Sequence, residues 1–305
     1  MFVLKKTPLF STLEYTAQSK SPVPPYSEKC PDIVQGLLMN GSYFCGSKLF
    51  RKPDTERAHR ALLPLIEHLL SLYDPNCDEF VDFDKHSWDV VRTPRINPGK
   101  HNIHFDPFVS EQHHALAAMA RDARLEELLT RYQVESELRF RTEGGDGSTV
   151  SPRCCSLREC GLSLTAPKHL VTTTSESCRG SGDDSMNKLP AFGSGMELHS
   201  DGPRGENTVL MSFEDISFEQ GPLLVCPGSH DDYVDGTGHQ PDHLTAVENS
   251  IFKRNEKGGI RGRTVYHYSY RAGQPMVIDA RTLHGALTNH SNKWRVICWY
   301  IFEYV

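Results

Sequence analysis

The sequence predicts a mainly β fold, a sandwich or barrel, with helices packed on the outside of a sheet. Three observations carry this. Apolar residues recur with a 3.6-residue period only in the first half of the chain, over 54–73 and 110–132. The second half breaks into short apolar or alternating runs separated by Gly and Pro turns. No helical stretch intervenes between those runs, which disfavours a doubly wound parallel sheet.

Residues 1–50 are rich in Pro, Ser and Gly and are expected to form a loose arm, with a short strand near Tyr43-Phe44. From Asp54 to Tyr73, Ala58, Leu62, Leu65, Ile66, Leu69 and Leu70 line one helical face, and Pro64 is expected to kink or split the helix. A second helix is expected from Ser110, its N-cap, to Tyr132, with Leu116, Met119, Leu125, Leu128 and Leu129 apolar. Leu138-Arg139-Phe140 and Leu162-Ser163-Leu164 read as β-like runs. The stretch 141–190, heavy in Gly, Ser, Thr and Cys, is expected to be a long, partly disordered insertion. Strands follow at Thr208–Phe213, Leu223–Cys226, Pro275–Asp279 and Trp294–Tyr304. The long connection from Asp231 to Arg271 has the length of a lid.

Composition bounds the function. The formal charge of −6 argues against nucleic acid or an anionic membrane as the main partner. No apolar run approaches the roughly 18 residues that span a bilayer. No secretory signal, prenylation box or peroxisomal tripeptide is evident, so an intracellular, cytoplasmic protein acting on a small molecule is expected; the oligomeric state stays open. Nine cysteines, none in a Cys-x-x-Cys pair, read as reduced thiols, with a local disulfide or metal clip near Cys155 and Cys178 as the minority reading.

The chemistry starts from His-x-Asp. On a strand, residues i and i+2 share a face, so this pair sets an imidazole beside a carboxylate. With a distant His it makes the two-His, one-carboxylate face that holds non-haem Fe(II) and leaves open positions opposite. The pair occurs three times, at His104-Phe105-Asp106, His199-Ser200-Asp201 and His230-Asp231-Asp232. Context selects the second, which has a strand-like approach and an orderly set of strands after it. His284 follows an apolar strand, and Arg295 lies eleven residues on, at the start of the last strand. Arg295, Ile297, Trp299 and Ile301 share one face of that strand. An Arg on an otherwise apolar face needs an anion, either a bidentate carboxylate ligand or a structural Asp or Glu.

At this point the chain from about Met196 to Tyr304 resembles the phytanoyl-CoA dioxygenase family of iron(II)/2-oxoglutarate oxygenases. Four elements fall in the family's order: His199-Ser200-Asp201; Gly221 to His230, with its Pro-Gly-Ser-His turn; His284-Gly285; and Asn289-His290-Ser291 followed by Arg295. The resemblance implies a double-stranded β-helix, a jelly-roll barrel with N-terminal helices outside. It implies Fe(II) on His199, Asp201 and His284, and Arg295 clamping the distal carboxylate of 2-oxoglutarate. It implies a dioxygenase that consumes O₂ and 2-oxoglutarate, releases succinate and CO₂, and hydroxylates an unactivated C–H bond of a small organic or acyl substrate, with ascorbate as a reductant. Related halogenases lose the carboxylate ligand; Asp201 is present, which favours hydroxylation. His230 reads as a turn-stabilising residue. Arg204 and Trp299 are the candidate substrate contacts, with Val225 and Ile301 as further pocket walls. The expected organisation is an arm at 1–50 and one domain at 51–305, with helical cover at 51–132 and the metal-binding core at 195–305.

Three other readings stay open. A cupin-like barrel that binds a metal or small molecule without oxidation explains the strands and His pair, but not Arg295. A non-catalytic protein that kept the fold, and a zinc hydrolase on the same ligands, are the others.

Overall fold

The computed structural model describes residues 32–45, 49–144, 154–171, 195–202, 204–232 and 266–304. In chain order these form α1 (Ile33–Asn40), β1 (Ser42–Phe44), α2 (Lys52–Leu72), β2 (Tyr73–Asp74), β3 (Glu79–Phe80), β4 (Val90–Arg92), β5 (Arg95–Asn97), β6 (Lys100–Phe105), α3 (Glu111–Ala120), α4 (Ala123–Gly144) and β7 (Cys155–Thr165). Then come β8 (Met196–His199), β9 (Glu206–Met211), β10 (Leu223–Val225), β11 (Tyr266–Tyr268), β12 (Met276–Asp279), β13 (His284–Ala286) and β14 (Arg295–Tyr304).

The strands pair antiparallel into two main sheets. The larger has the order β1-β12-β9-β14-β7-β6-β4, with β5 also on β6; the smaller is β11-β10-β13-β8. Alternate residues of the larger sheet face two different cores. Ile103, Phe105, Cys160, Leu162, Cys298, Tyr300 and Phe302 pack with helix residues such as Leu62, Leu116 and Leu129. Ile297, Met276 and Ile278 face the other way and meet Leu223, Val225 and Tyr268 of the smaller sheet. The two sheets are therefore stacked, with helices covering the outer face of one. This is the jelly-roll layout, its sheets facing each other without closing.

The helices follow from local chemistry. Leu62, Leu65 and Leu69 of α2 are wholly buried, each contributing about 1.5–3 kcal/mol. Pro64 does not split α2, which continues through it to Leu72. Pro64 sits on the exposed side of the helix, so burial of the opposite face offsets its missing hydrogen bond. Ser110 caps α3 as expected, its hydroxyl accepting from the His113 N–H at 3.2 Å. The expected single helix is two, because Asp122 caps a new one and accepts from the Arg124 N–H at 3.0 Å.

Three further expectations are corrected. Leu138-Arg139-Phe140 is the continuation of α4 rather than a strand; a three-residue alternation fits either period. The supposed insertion at 141–190 contains β7, an eleven-residue strand between β14 and β6 near the middle of the larger sheet. Its small and polar residues are buried because helices cover one face and the inter-sheet space the other. Within the expected arm, α1 and β1 are built into the fold, with Tyr43 opposite Val277. Residues 1–31, 46–48, 145–153, 172–194, 203 and 233–265 lie outside the described residues, and the last stretch is most of the lid expected from Asp231 to Arg271. No disulfide joins the seven cysteines among the described residues, and no helix there is long and apolar enough to cross a membrane.

Candidate metal centre

Strand register brings the metal-ligand candidates together. His284 of β13 is paired directly with His199 of β8 and, on its other side, with Val225 of β10. Residues opposite one another in a ladder share a face, and Val225 belongs to the inter-sheet core. Both imidazoles therefore project between the sheets, with ring centroids 4.5 Å apart. Asp201 follows β8, and its N–H donates to the Ala280 carbonyl at 2.8 Å. Asp201 Oδ1 lies 3.4 Å from His199 Nε2, and Oδ2 lies 3.3 Å from His284 Nε2. One ligand atom from each of the three residues falls within 4.8 Å of the others, and among the described residues no other cluster of His, Cys, Asp and Glu does so.

Neighbouring groups orient these atoms. His284 Nδ1 donates to the Thr282 carbonyl at 3.0 Å, so that Nε2 is the nitrogen free to bind a metal when the ring is neutral. The Thr208 hydroxyl of β9 donates to Asp201 Oδ2 at 2.7 Å. Burial by itself would raise the Asp201 carboxyl; the charge of His284 and hydrogen bonds from both imidazoles override it and hold the group well below the carboxylate range. Burial likewise acts to lower His284, and Asp201 reverses the direction. Two imidazole nitrogens and a carboxylate oxygen on one face fit a divalent first-row metal.

Arg295 opens β14 on the inner face and is 3 % exposed. Its Nη1 donates to the backbone carbonyls of Gln220, Gly221 and Leu287, and its Nη2 to the Thr165 hydroxyl at 3.2 Å. Gly221 makes this possible. Its φ is +81°, and a Cβ there would lie 2.6 Å from Arg295 Nη1 and 2.2 Å from the Leu287 carbonyl. Asn289-His290-Ser291 forms the turn that delivers Arg295: the Asn289 amide donates to the Thr165 and Lys293 carbonyls, and the Ser291 hydroxyl donates to Asn289 Oδ1. Among the described residues Arg295 forms no ion pair. Burial pushes its guanidinium down to about 10.

The larger sheet adds residues that the sequence did not single out. Arg295 is opposite Thr165 on β14–β7, and Thr165 is opposite Lys100 on β7–β6. Arg295, Thr165 and Lys100 thus form one inward row. Lys100 Nζ lies against Met196 Sδ of the smaller sheet. Burial, then the charge of Arg295, lowers its ammonium to about 7, with Asp201 acting against both. This row sets two cations and a hydroxyl beside the His-Asp-His cluster, with no carboxylate paired to either cation among the described residues.

The remaining sequence candidates are placed as follows. Trp299 lies on the inner face, 7 % exposed, and Val225 adjoins His284. Ile301 is half-buried opposite Thr208. Arg204 is half-buried in the turn before β9. His230 lies in the turn Ser229–Asp232, away from the cluster, with Nε2 donating to the Leu38 carbonyl at 3.2 Å.

The comparisons follow the same geometry. The phytanoyl-CoA dioxygenase (PhyH) family model matches residues 103–297. A search of curated proteins finds no match. Among solved structures, the chain is similar to the epimerase SnoN in complex with Fe3+, alpha ketoglutarate and nogalamycin RO, at 14 % identity and TM-score 0.55, over 92 % of this chain and 84 % of that one. It is also similar to AviO1 from Streptomyces viridochromogenes Tue57, at 14 % identity and TM-score 0.49, over 89 % and 93 %. EctD from S. alaskensis, with 2-oxoglutarate and 5-hydroxyectoine, is similar at 15 % identity and TM-score 0.49, over 88 % and 74 %. At such identities the likeness concerns the fold.

Proposed function

This chain belongs to the phytanoyl-CoA dioxygenase (PhyH) family, and we propose that it is an Fe(II)- and 2-oxoglutarate-dependent dioxygenase that hydroxylates a C–H bond of a small organic molecule. His199, Asp201 and His284 hold the iron. Arg295 binds the distal carboxylate of 2-oxoglutarate, with Lys100 and Thr165 beside it. Bound iron supplies O₂ activation coupled to decarboxylation of 2-oxoglutarate to succinate and CO₂.

The single observation that carries this reading is the pairing of a His-Asp-His cluster with a buried guanidinium that has no carboxylate partner among the described residues. An isolated buried cation is costly. A dicarboxylate that reaches both the metal and Arg295 offsets that cost at one end while it chelates at the other. The planar fork of Arg295 is already oriented by three carbonyls and Thr165, so little ordering is left for binding. SnoN, within the same fold, binds Fe3+ and alpha ketoglutarate. The role of the protein is to position both reactants and exclude bulk water. Arg204 and Trp299 contribute to the substrate side, and ascorbate serves as a reductant in vitro.

The test is succinate formation and O₂ consumption by metal-free protein supplied with Fe(II), 2-oxoglutarate and ascorbate. Slow turnover without substrate is expected, lost in His199→Ala and requiring more 2-oxoglutarate in Arg295→Ala. If wild-type protein makes no succinate and binds no 2-oxoglutarate with Fe(II), the reading fails and a non-oxidative cupin-like role takes its place.

A further inference from the structure

Three side-chain rows cross β14, β7 and β6 on the inner face: Arg295–Thr165–Lys100, Ile297–Ser163–Asn102 and Trp299–Gly161–His104. The third row lies about 13 Å along the strands from the first. It contains His104, from one of the two His-x-Asp pairs that the metal centre does not use. Phe105, next along, packs into the helix-side core, so His104 faces the space between the sheets.

His104 Nδ1 lies 2.5 Å from Glu159 Oε1, and Arg92 donates to the same oxygen at 3.2 Å. The hydrogen bond from His104, against the effect of burial, holds the Glu159 carboxyl below its usual range. Arg92 Nη2 also lies 3.2 Å from Nδ1, but the Glu159 contact is much the shorter and a carboxylate can only accept, so the proton is assigned to Nδ1. Nε2 is then the ring nitrogen left to meet a ligand, on a side chain that keeps 11 % of its surface accessible.

The setting is built for this ring. It packs 4.9 Å from the Trp299 indole. That indole lies over Gly161, where an added Cβ would meet two indole carbons at 2.4 and 2.8 Å and the Ile103 carbonyl at 2.2 Å. Only glycine leaves room for it. Next to this seat β7 bulges: Ile301 opposes Glu159 while Phe302 opposes Leu157, which leaves Arg158 as the extra residue. Arg158 pairs with Glu206 Oε1 at 2.5 Å. Glu206 Oε2 lies where a Cβ on Gly202, the neighbour of Asp201, would touch it at 2.6 Å. The bulge therefore sits beside the metal centre, two strands from Thr208, about 10 Å across the sheet. Here Arg92 and Arg158 are each matched by a carboxylate, unlike Arg295 and Lys100.

We propose, on the oxygenase reading of the centre, that His104 held by Glu159 determines substrate specificity: Nε2 accepts a hydrogen bond from the hydroxyl of an uncharged alcohol whose body lies against Trp299. A carboxylate substrate brings no proton to Nε2 and meets the Glu159 charge behind the ring. An ether or hydrocarbon leaves Nε2 without a donor at a nearly buried position. The substrate is thereby distinguished from 2-oxoglutarate, whose anionic ends go to the metal and the first row.

The test is equilibrium dialysis of the protein loaded with Fe(II) and 2-oxoglutarate under nitrogen. The probes are C6 to C12 cyclic alcohols, each compared with its methyl ether and the matching carboxylate. Alcohols are expected to bind about 5- to 30-fold more tightly than their ethers and carboxylates, the range for a hydrogen bond whose loss strands a buried group. His104→Ala should level alcohol and ether to within about twofold while still taking up 2-oxoglutarate, and His104→Gln, which keeps an acceptor near Nε2, should recover part of the preference. If His104→Ala loses its fold, His104→Phe keeps the ring packing without the acceptor. The assignment is overturned if no alcohol outbinds its ether, if carboxylates bind as well, or if the preference survives in the variant without the acceptor. Wild-type protein that takes up no 2-oxoglutarate before any alcohol is added overturns the oxygenase reading instead.

Discussion

Two regions of the same inner face treat their cations in opposite ways. In the first row, Arg295 and Lys100 flank Thr165, and their hydrogen bonds go to carbonyl oxygens, a hydroxyl and a thioether sulfur. Around the third row, Arg92 is matched by Glu159 and Arg158 by Glu206. The two regions are joined by the same three strands, so fold alone does not account for the difference. It is a difference in what each region awaits. An uncompensated buried cation keeps a desolvation cost until an anion arrives, whereas a matched pair has no charge left to offer. On the proposed function, the first region suits a dicarboxylate and the second an uncharged molecule.

The largest expected effect is on the cluster that both regions serve. Asp201→Ala removes the one anionic ligand and leaves two imidazoles. Iron content after anaerobic reconstitution should fall to background, and succinate formation should drop by more than about 100-fold, above the range seen when a supporting residue is lost. Succinate formed at the wild-type rate would mean that neither region serves a metal at this position.

Next in size is Arg295→Met, which tests the first region directly. Loss of two charge-assisted hydrogen bonds should weaken 2-oxoglutarate binding by about 100-fold. The same change removes a buried charge but strands the Gln220, Gly221 and Leu287 carbonyls, two opposed effects on ligand-free stability, so the readout is the stabilisation that ligand adds, which should shrink. Denaturant melts with and without 2-oxoglutarate and Fe(II) would read both effects. A variant that ligand stabilises as much as wild type would show that Arg295 is a structural strut rather than a clamp.

Lys100→Met should weaken 2-oxoglutarate by a smaller factor, about 5- to 10-fold, and carries a pH signature. The folded-state ammonium is lowered to about 7 by burial and by Arg295. Below that pH the folded and unfolded chains both hold the proton, and the full cost of the buried charge is present. Between about 7 and the ordinary lysine range the unfolded chain holds a proton that the folded chain has released, so stability rises with pH. Melting temperatures from pH 6.5 to 10 should show this rise in wild-type protein and not in Lys100→Met. The same slope in both would place the ammonium in solvent.

How much of this was legible in the sequence depends on whether the signal was local. His199 and Asp201 share a strand face at spacing two, and His284 and Arg295 fall in one short segment with a recognisable turn between them. Those four residues and the fold class could be read from adjacent letters. Lys100, Thr165, His104 and Glu159 could not, because they meet only through the register of β6, β7 and β14, and sequence separations of 55 and more are invisible to a window. Only the Leu162-Ser163-Leu164 end of β7 was legible, and the rest was hidden by its composition. Cys160 and Gly161 look like loop residues, yet Gly161 is small because an indole lies on it. Leu138 to Phe140 misled in the other direction, since three residues cannot distinguish a period of 2 from one of 3.6.

The smallest expected effect is at the rim and sharpens the contrast most. Arg92 is 59 % exposed and its partner Glu159 34 %, so their ion pair is screened and contributes about 0.2–1 kcal/mol. Arg92→Gln should shift the denaturation midpoint little and leave 2-oxoglutarate affinity within about twofold of wild type. His104 still donates to Glu159 in that variant, so its orientation should persist, seen as an unchanged imidazole shift in nitrogen NMR. The outcome that would break the comparison is a loss of 2-oxoglutarate affinity in Arg92→Gln as large as that in Arg295→Met. It would mean that the cations of both regions act on one anion, and that matching by a carboxylate does not separate a structural arginine from a binding one in this fold.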